Sequence, residues 1–261
     1  MGIFKEIIAE IETLYYAKTY EKQKKNLQIM DALMWIKFPT PQIGPFDPHP
    51  KYASHIEQCK KDFLSYVKND MASDKDKTWG VGDSILGQSK NRIDSIKPKM
   101  NHALGGMWAH HMLQLVNDMA PLFKQYGYVP NNIVVGTPDG NAILTHQEIN
   151  SVKEQCRILL NRIRELYPKA RIIMYGLPAT LVSYAILHYA DYEKNLIDWG
   201  WVDSNSVLIP LIKGFVNKNH ILPRADMSCD GVHLTPKGVI LFGKLIEAGK
   251  TGQPRRLINN W

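Results

Sequence analysis

From residue 78 onward, short runs of β-branched and aromatic residues alternate with longer stretches of helical periodicity, and this alternation constrains the fold more than any other feature of the chain. Runs at 78–81, 132–135, 170–175 and 206–209 predict strands. Helical stretches lie near 108–119, 147–167, 180–197 and 237–248. Strand–helix–strand units of this length build a parallel sheet with helices on both faces, so the expected fold is α/β, a three-layer α/β/α parallel sheet. A further strand is expected near 96–101, with Pro98 inside it. Ligands of such sheets bind at the carboxyl ends of the strands, which directs attention to the residues following each run.

The first seventy residues have a different texture. Ile3, Phe4, Ile7, Ile8, Ile11, Leu14 and Tyr15 fall at helical spacing, and a second apolar series runs from Leu27 through Met30, Leu33, Met34 and Ile36. It is stopped by FPTPQIGPFDPHP, whose five prolines in residues 38–50 forbid a regular helix. A third helix is expected over 52–67. The polar faces mix both charge signs, so the region is read as a helical extension packed on the main domain, not as a membrane or partner surface. The division expected is 1–70 for this extension, with its Pro-rich loop at 38–50, and 71–261 for the main domain.

Composition excludes several classes. At 261 residues the chain can bury a core without disulfides or a structural metal. Cys59, Cys156 and Cys229 are odd in number and form no Cys-x-x-Cys pair, which points to a reducing compartment. No segment approaches the ~18 apolar residues of a membrane span. Lys5, Glu6, Glu10 and Glu12 break up any signal-peptide core, so the chain is expected to be cytoplasmic or otherwise unexported by the classical route. The net charge of +7 is spread without a basic run of five, a mild attraction to polyanions and not a specific nucleic-acid arm. Gly80-x-Gly82 has Ile85 where a dinucleotide fingerprint needs a third glycine, and there is neither a Walker Gly-Lys-Ser/Thr nor a Gly-x-Ser-x-Gly elbow. No cofactor is expected. His110 and His111 are helix neighbours about 100° apart, a poor chelating pair, and are read as one buried and one exposed histidine.

Two clusters carry chemistry. Gly82-Asp83-Ser84 follows the first strand directly, where a serine is either a helix N-cap or a nucleophile whose own backbone N–H faces an oxyanion. Near the C-terminus stands Asp230-Gly231-Val232-His233-Leu234-Thr235-Pro236. Here Thr235 and Pro236 read as a helix cap and first helical residue, which leaves Asp230 and His233 for another task. Three residues apart on a loop, the carboxylate can hold one imidazole nitrogen while the other faces a hydroxyl as general base.

With both clusters in view, residues 78–248 resemble the SGNH (GDSL-type) hydrolase superfamily, whose flavodoxin-like α/β/α fold carries four sequence blocks in this order. Gly82-Asp83-Ser84 is similar to the first block and Asp230-x-x-His233 to the last, which implies Ser84 as nucleophile, His233 as base and Asp230 as its orienting acid. The second block resembles Asn101-His-Ala-Leu-Gly-Gly106 and implies a backbone N–H donor from Gly106 to the oxyanion, with Gly105 the candidate if the register shifts by one. The third block departs from the family's Gly-x-Asn-Asp: this chain has Gly136-Thr137-Pro138-Asp139-Gly140-Asn141, and Pro138 has neither the amide side chain nor a backbone N–H. Either Asn141 supplies the lost amide or Pro-Asp-Gly-Asn is a plain surface turn. The resemblance implies a serine esterase, free of metal and organic cofactor, acting on small acyl esters of a small molecule or carbohydrate, O-acetyl groups included. Two rivals are a non-catalytic carbohydrate-binding or structural module with a degraded oxyanion hole, which Pro138 favours, and a nucleic-acid binder, which only the charge favours. Ser84, Asp230 and His233 together argue against both.

Overall fold

The computed structural model describes residues 13, 22–33, 36, 51–136, 140–176, 180, 205–209 and 228–251. Its centre is a parallel sheet of four strands, β1 (Thr78–Val81), β2 (Asn132–Gly136), β3 (Arg171–Tyr175) and β4 (Ser206–Ile209), in the spatial order β1-β2-β3-β4. The register places Gly80 beside Val134, Val134 beside Ile173 and Ile173 beside Val207. Almost every strand residue is buried, because helices cover both faces and leave no solvated side to call for alternation.

Six labelled helices surround the sheet: α1 (Tyr52–Asn69), α2 (Ser84–Gln88), α3 (Ala109–Gln125), α4 (Gly140–Leu144), α5 (Ile149–Leu166) and α6 (Pro236–Thr251). Residues 22–33 are helical as well. Paired residues of parallel strands point to the same face, so side chain contacts sort the layers. Trp79 packs on Phe123 of α3 with ring centroids 4.8 Å apart, and Ser206, in the same face row, accepts a 2.6 Å hydrogen bond from Arg164 of α5. The opposite face belongs to α6: a Cβ placed on Gly249 would lie 3.2 Å from Ile173 and 3.3 Å from Val207, so the glycine lets this helix sit close to the sheet. The result is the three-layer α/β/α arrangement.

Helix α1 is part of the core. Ile56, Cys59, Phe63 and Tyr66 are buried, the Phe63 ring lies 4.6 Å from Phe123, and the Tyr66 hydroxyl donates to Asp74 at 2.8 Å. The expected helices at 3–15 and 180–197 lie outside the described residues, apart from Thr13 and Thr180.

The strand expected near 96–101 is corrected. Pro98 opens a single 3-10 turn (Pro98–Met100), and only Asn101 bridges to Gly80 in parallel. Proline has no N–H to give a ladder, so pairing is confined to the residues after it. Helix α3 continues to Gln125 through Pro121, beyond the end expected at 119. Interior proline costs about 3 kcal/mol, but Phe123 on the following turn is buried among Phe63, Trp79 and Tyr128, and anchors of that kind contribute about 3–5 kcal/mol.

Candidate active site

The turn after β1 gives each residue of Gly82-Asp83-Ser84 a separate task. Asp83, not Ser84, is the N-cap of α2, and its Oδ1 accepts from the Ile85 N–H at 3.0 Å. Ser84 is therefore the first helical residue, and its hydroxyl is not used in capping. The Tyr175 hydroxyl, from the last residue of β3, closes a reciprocal pair: it donates to Asp83 Oδ1 at 3.1 Å and accepts from the Asp83 N–H at 3.3 Å. A Cβ on Gly82 would collide with that hydroxyl, and one on Gly136 would stand 2.8 Å from it. Both glycines make room for the tyrosine that grips the turn. Burial raises the pKa of Asp83, against the Ile85 N–H, the Tyr175 hydroxyl and the charge of His233, which favour its anion. Burial, and then the Asp83 carboxylate, likewise push the Tyr175 phenol well above its ordinary value.

The loop before α6 is equally tied. Ser228 and Leu234 form an antiparallel bridge, the Cys229 N–H donates to the His233 carbonyl at 2.9 Å, and Gly231 takes a φ of 88° that only glycine adopts without strain. Thr235 caps α6 by accepting from the Gly238 N–H at 3.1 Å, with Pro236 as its first residue. Within this loop Asp230 Oδ1 accepts from the backbone N–H groups of Val232 at 2.9 Å and His233 at 2.7 Å, which turns Oδ2 toward the ring.

These two loops meet. His233 Nδ1 lies 2.7 Å from Asp230 Oδ2, and His233 Nε2 lies 3.0 Å from Ser84 Oγ across 149 residues of sequence. The partners fix the tautomer: Nδ1–H donates to the carboxylate, and the Nε2 lone pair accepts the serine O–H. Burial pushes Asp230 up, but the hydrogen bonds and charge of His233 and the two backbone donors outweigh it and hold the acid at about 2. Hydrogen bonding to Asp230 raises the His233 pKa; desolvation opposes this, and the charges of Asp230 and Asp83 reinforce it.

The second-block segment lies along the same edge. Asn101 donates its amide to the Leu86 carbonyl at 3.0 Å and accepts from Ala103 N–H at 3.3 Å, while Leu104 N–H donates to the Gly82 carbonyl at 3.1 Å. This brings Gly105 against the serine, so that a Cβ placed on it would be 3.6 Å from Ser84 Cβ. Gly106 follows with a φ of 84°. Pro138 lies outside the described residues, whereas Asn141 is the second residue of α4 and donates its amide to the Met107 carbonyl at 2.7 Å. His111 is buried and His110 half-buried, with ring centroids 3.9 Å apart.

In front of Ser84 opens a cavity of about 370 Å3. One wall carries Ser84, Ile85, Val232 and His233, and another carries Asn141, Leu144 and Thr145 of the α4 region. Gln23, Asn26, Leu27, Met30 and Asp31 of the helical segment 22–33 complete it. Beside the cavity Asp31 Oδ1 stands 3.8 Å from Nε2 of the buried His146. Neither Tyr175 nor this segment was marked by the sequence as part of the site, although Leu27 and Met30 stood out as an apolar helical series. Tyr175 ends a strand at the ligand-binding edge, a positional signal that sequence does carry; nothing local marks residues 22–33 as lining a site some fifty residues further along the chain.

No protein-family model matches the sequence, and no curated protein matches it. The fold has counterparts among solved structures. A protein of Streptococcus pneumoniae provisionally named a platelet activating factor aligns with a TM-score of 0.57 at 13% identity, over 76% of this chain and 94% of its own. A provisionally named acylhydrolase of Bacteroides fragilis aligns with a TM-score of 0.55 at 16% identity, over 72% of this chain and 94% of its own. A family two carbohydrate esterase of Clostridium thermocellum, in complex with cellohexaose, aligns with a TM-score of 0.43 at 15% identity over 67% of this chain and 63% of its own, too loose a match to carry a functional argument. The class defined is a three-layer α/β/α fold, and at these identities the likeness is one of fold alone.

Proposed function

We propose that the protein is a serine esterase of the SGNH type, cleaving small acyl esters of a small molecule or a carbohydrate, O-acetyl groups first among them. The observation that carries this reading is the continuous hydrogen-bonded series Ser84–His233–Asp230 at the carboxyl edge of a parallel sheet, opening on a cavity. Ser84 Oγ attacks the ester carbonyl carbon while His233 Nε2 takes the hydroxyl proton, and Asp230 stabilises the imidazolium that results. His233 then returns the proton to the departing alcohol, and water repeats the sequence to release the acid and free the serine. The backbone N–H of Ser84 and the Gly105–Gly106 turn serve the tetrahedral oxyanion. Asn141 is the third donor: an amide carries two N–H groups, and the bond from one of them to Met107 sets the plane in which the other acts.

Hydrolysis of p-nitrophenyl esters by wild type and Ser84→Ala tests the reading. Loss of the nucleophile disables the whole unit, so turnover is expected to fall by about a thousandfold or more. Equal rates for the two proteins would defeat it.

A further inference from the structure

The cavity before Ser84 is larger and more apolar than an acetyl ester requires. Leu27 and Met30 face it from segment 22–33, Leu144 from α4, and Ile85 and Val232 from beside the nucleophile and base. At roughly 30 Å3 for a group the size of water, its volume of about 370 Å3 leaves most of the space unfilled by a two-carbon acyl group. Met30 is 62% exposed while lining this space, which leaves apolar surface for a ligand to cover. The charge of the lining is one-sided too. Its charged side chains are Asp31, Asp83 and Asp230, with histidine as the one basic type and neither lysine nor arginine among the described lining residues, in a protein with 32 basic against 25 acidic residues. An anionic chain would meet carboxylates and, among the described lining residues, no lysine or arginine to pair with.

We infer that the ester attacked by Ser84 carries an uncharged aliphatic acyl chain of about four to eight carbons, seated between Leu27 and Met30 of segment 22–33 and Leu144 of α4. The inference rests on the esterase reading above and replaces acetyl as the preferred acyl group. The acyl group, and not the alcohol, is assigned to this space because it takes part in both half-reactions, forming its bond to Ser84 Oγ in the first and losing it to water in the second, whereas the alcohol leaves in the first. Apolar contacts beside the nucleophile then act on both. Leu27, Met30 and Leu144 are thereby specificity residues: they hold the chain and leave bond making to Ser84 and His233.

The test is kcat/KM for p-nitrophenyl acetate, butyrate, hexanoate, octanoate and dodecanoate, with Ser84→Ala as the blank. Each buried methylene is worth up to about fourfold, so a rise of at least about tenfold from acetate to hexanoate is expected, with a fall by dodecanoate. Leu27→Asn and Leu144→Asn should each lower the hexanoate-to-acetate ratio severalfold, a ratio that is independent of how much of the variant is active. A companion series of alkyl acetates, from ethyl to octyl, separates the acyl from the alcohol side. Ser84-dependent hydrolysis that is flat or falling from acetate upward overturns the inference and leaves the esterase standing. Chain-length preference confined to the alkyl acetates overturns the acyl assignment. Absence of Ser84-dependent hydrolysis on every ester overturns both readings.

Discussion

His233 must be neutral to accept the serine proton, and its contact with Asp230 makes it harder to deprotonate than a free histidine. Activity is therefore expected to rise along an acid limb whose midpoint lies above the ordinary ~6.5, and to be lost as pH falls through it. Asp230→Asn removes the main partner and leaves desolvation opposed only by the weaker pull of the Asp83 charge. Turnover should drop by about a thousandfold or more, while the residual limb moves to lower pH; a pH–rate profile of the two proteins reads both effects. The same pair contributes to stability. Asp230, depressed to about 2, contributes above its unfolded pKa and loses that contribution as pH falls toward the folded value. His233 works in the opposite sense: with its pKa raised on folding, its contribution is present below the unfolded pKa and is lost as pH rises through the folded one. At Asp83, Tyr175→Phe removes one of the donors of a buried carboxylate. A stability loss of about 1–3 kcal/mol is expected from that deletion, measured by denaturant unfolding.

Among the elements, the turn from β1 into α2 has the least tolerance. Gly82→Ala would place a methyl group against the Tyr175 hydroxyl and 3.1 Å from Leu86 Cβ, so either the tyrosine or the serine must shift. Overpacking of this kind costs about 1–3 kcal/mol, and the variant should lose turnover even where it remains folded; circular dichroism beside the ester assay separates the two. The strands expected at 78–81, 132–135 and 206–209 were legible in sequence, the second to within one residue, because burial on both faces leaves compact apolar runs bounded by polar residues. The caps of α6 were legible because Thr235 and Pro236 act locally. The capping by Asp83 was less so, since a serine and an aspartate side by side are both good N-caps, and Tyr175, 92 residues away, decides how the turn is held. Helix α3 outran its expected end for the same reason: local chemistry marks Pro121 as a stop, and the nonlocal packing of Phe123 outweighs it.

At the scale of the whole molecule, the two described helical stretches among the first seventy residues take different places. Helix α1 places Phe63 and Tyr66 in the core beside Phe123 and Tyr128, whereas segment 22–33 faces the cavity. Removing residues 1–70 should yield insoluble protein, since the loss of Phe63 alone is worth about 3–5 kcal/mol. Removing residues 1–50 keeps α1, and its product should be the more soluble of the two; expression and thermal melting of the two truncations check this. Sequence periodicity showed that Leu27 and Met30 belong to an apolar helix face, but which surface receives that face depends on long-range packing that periodicity does not encode. The central claim is that one serine, Ser84, is activated by His233. Intact-mass and peptide mass spectrometry after a fluorophosphonate probe tests it most directly: the account predicts a single adduct on Ser84, absent in Ser84→Ala and strongly slowed in His233→Ala. Labelling of another residue, or of none, would contradict it.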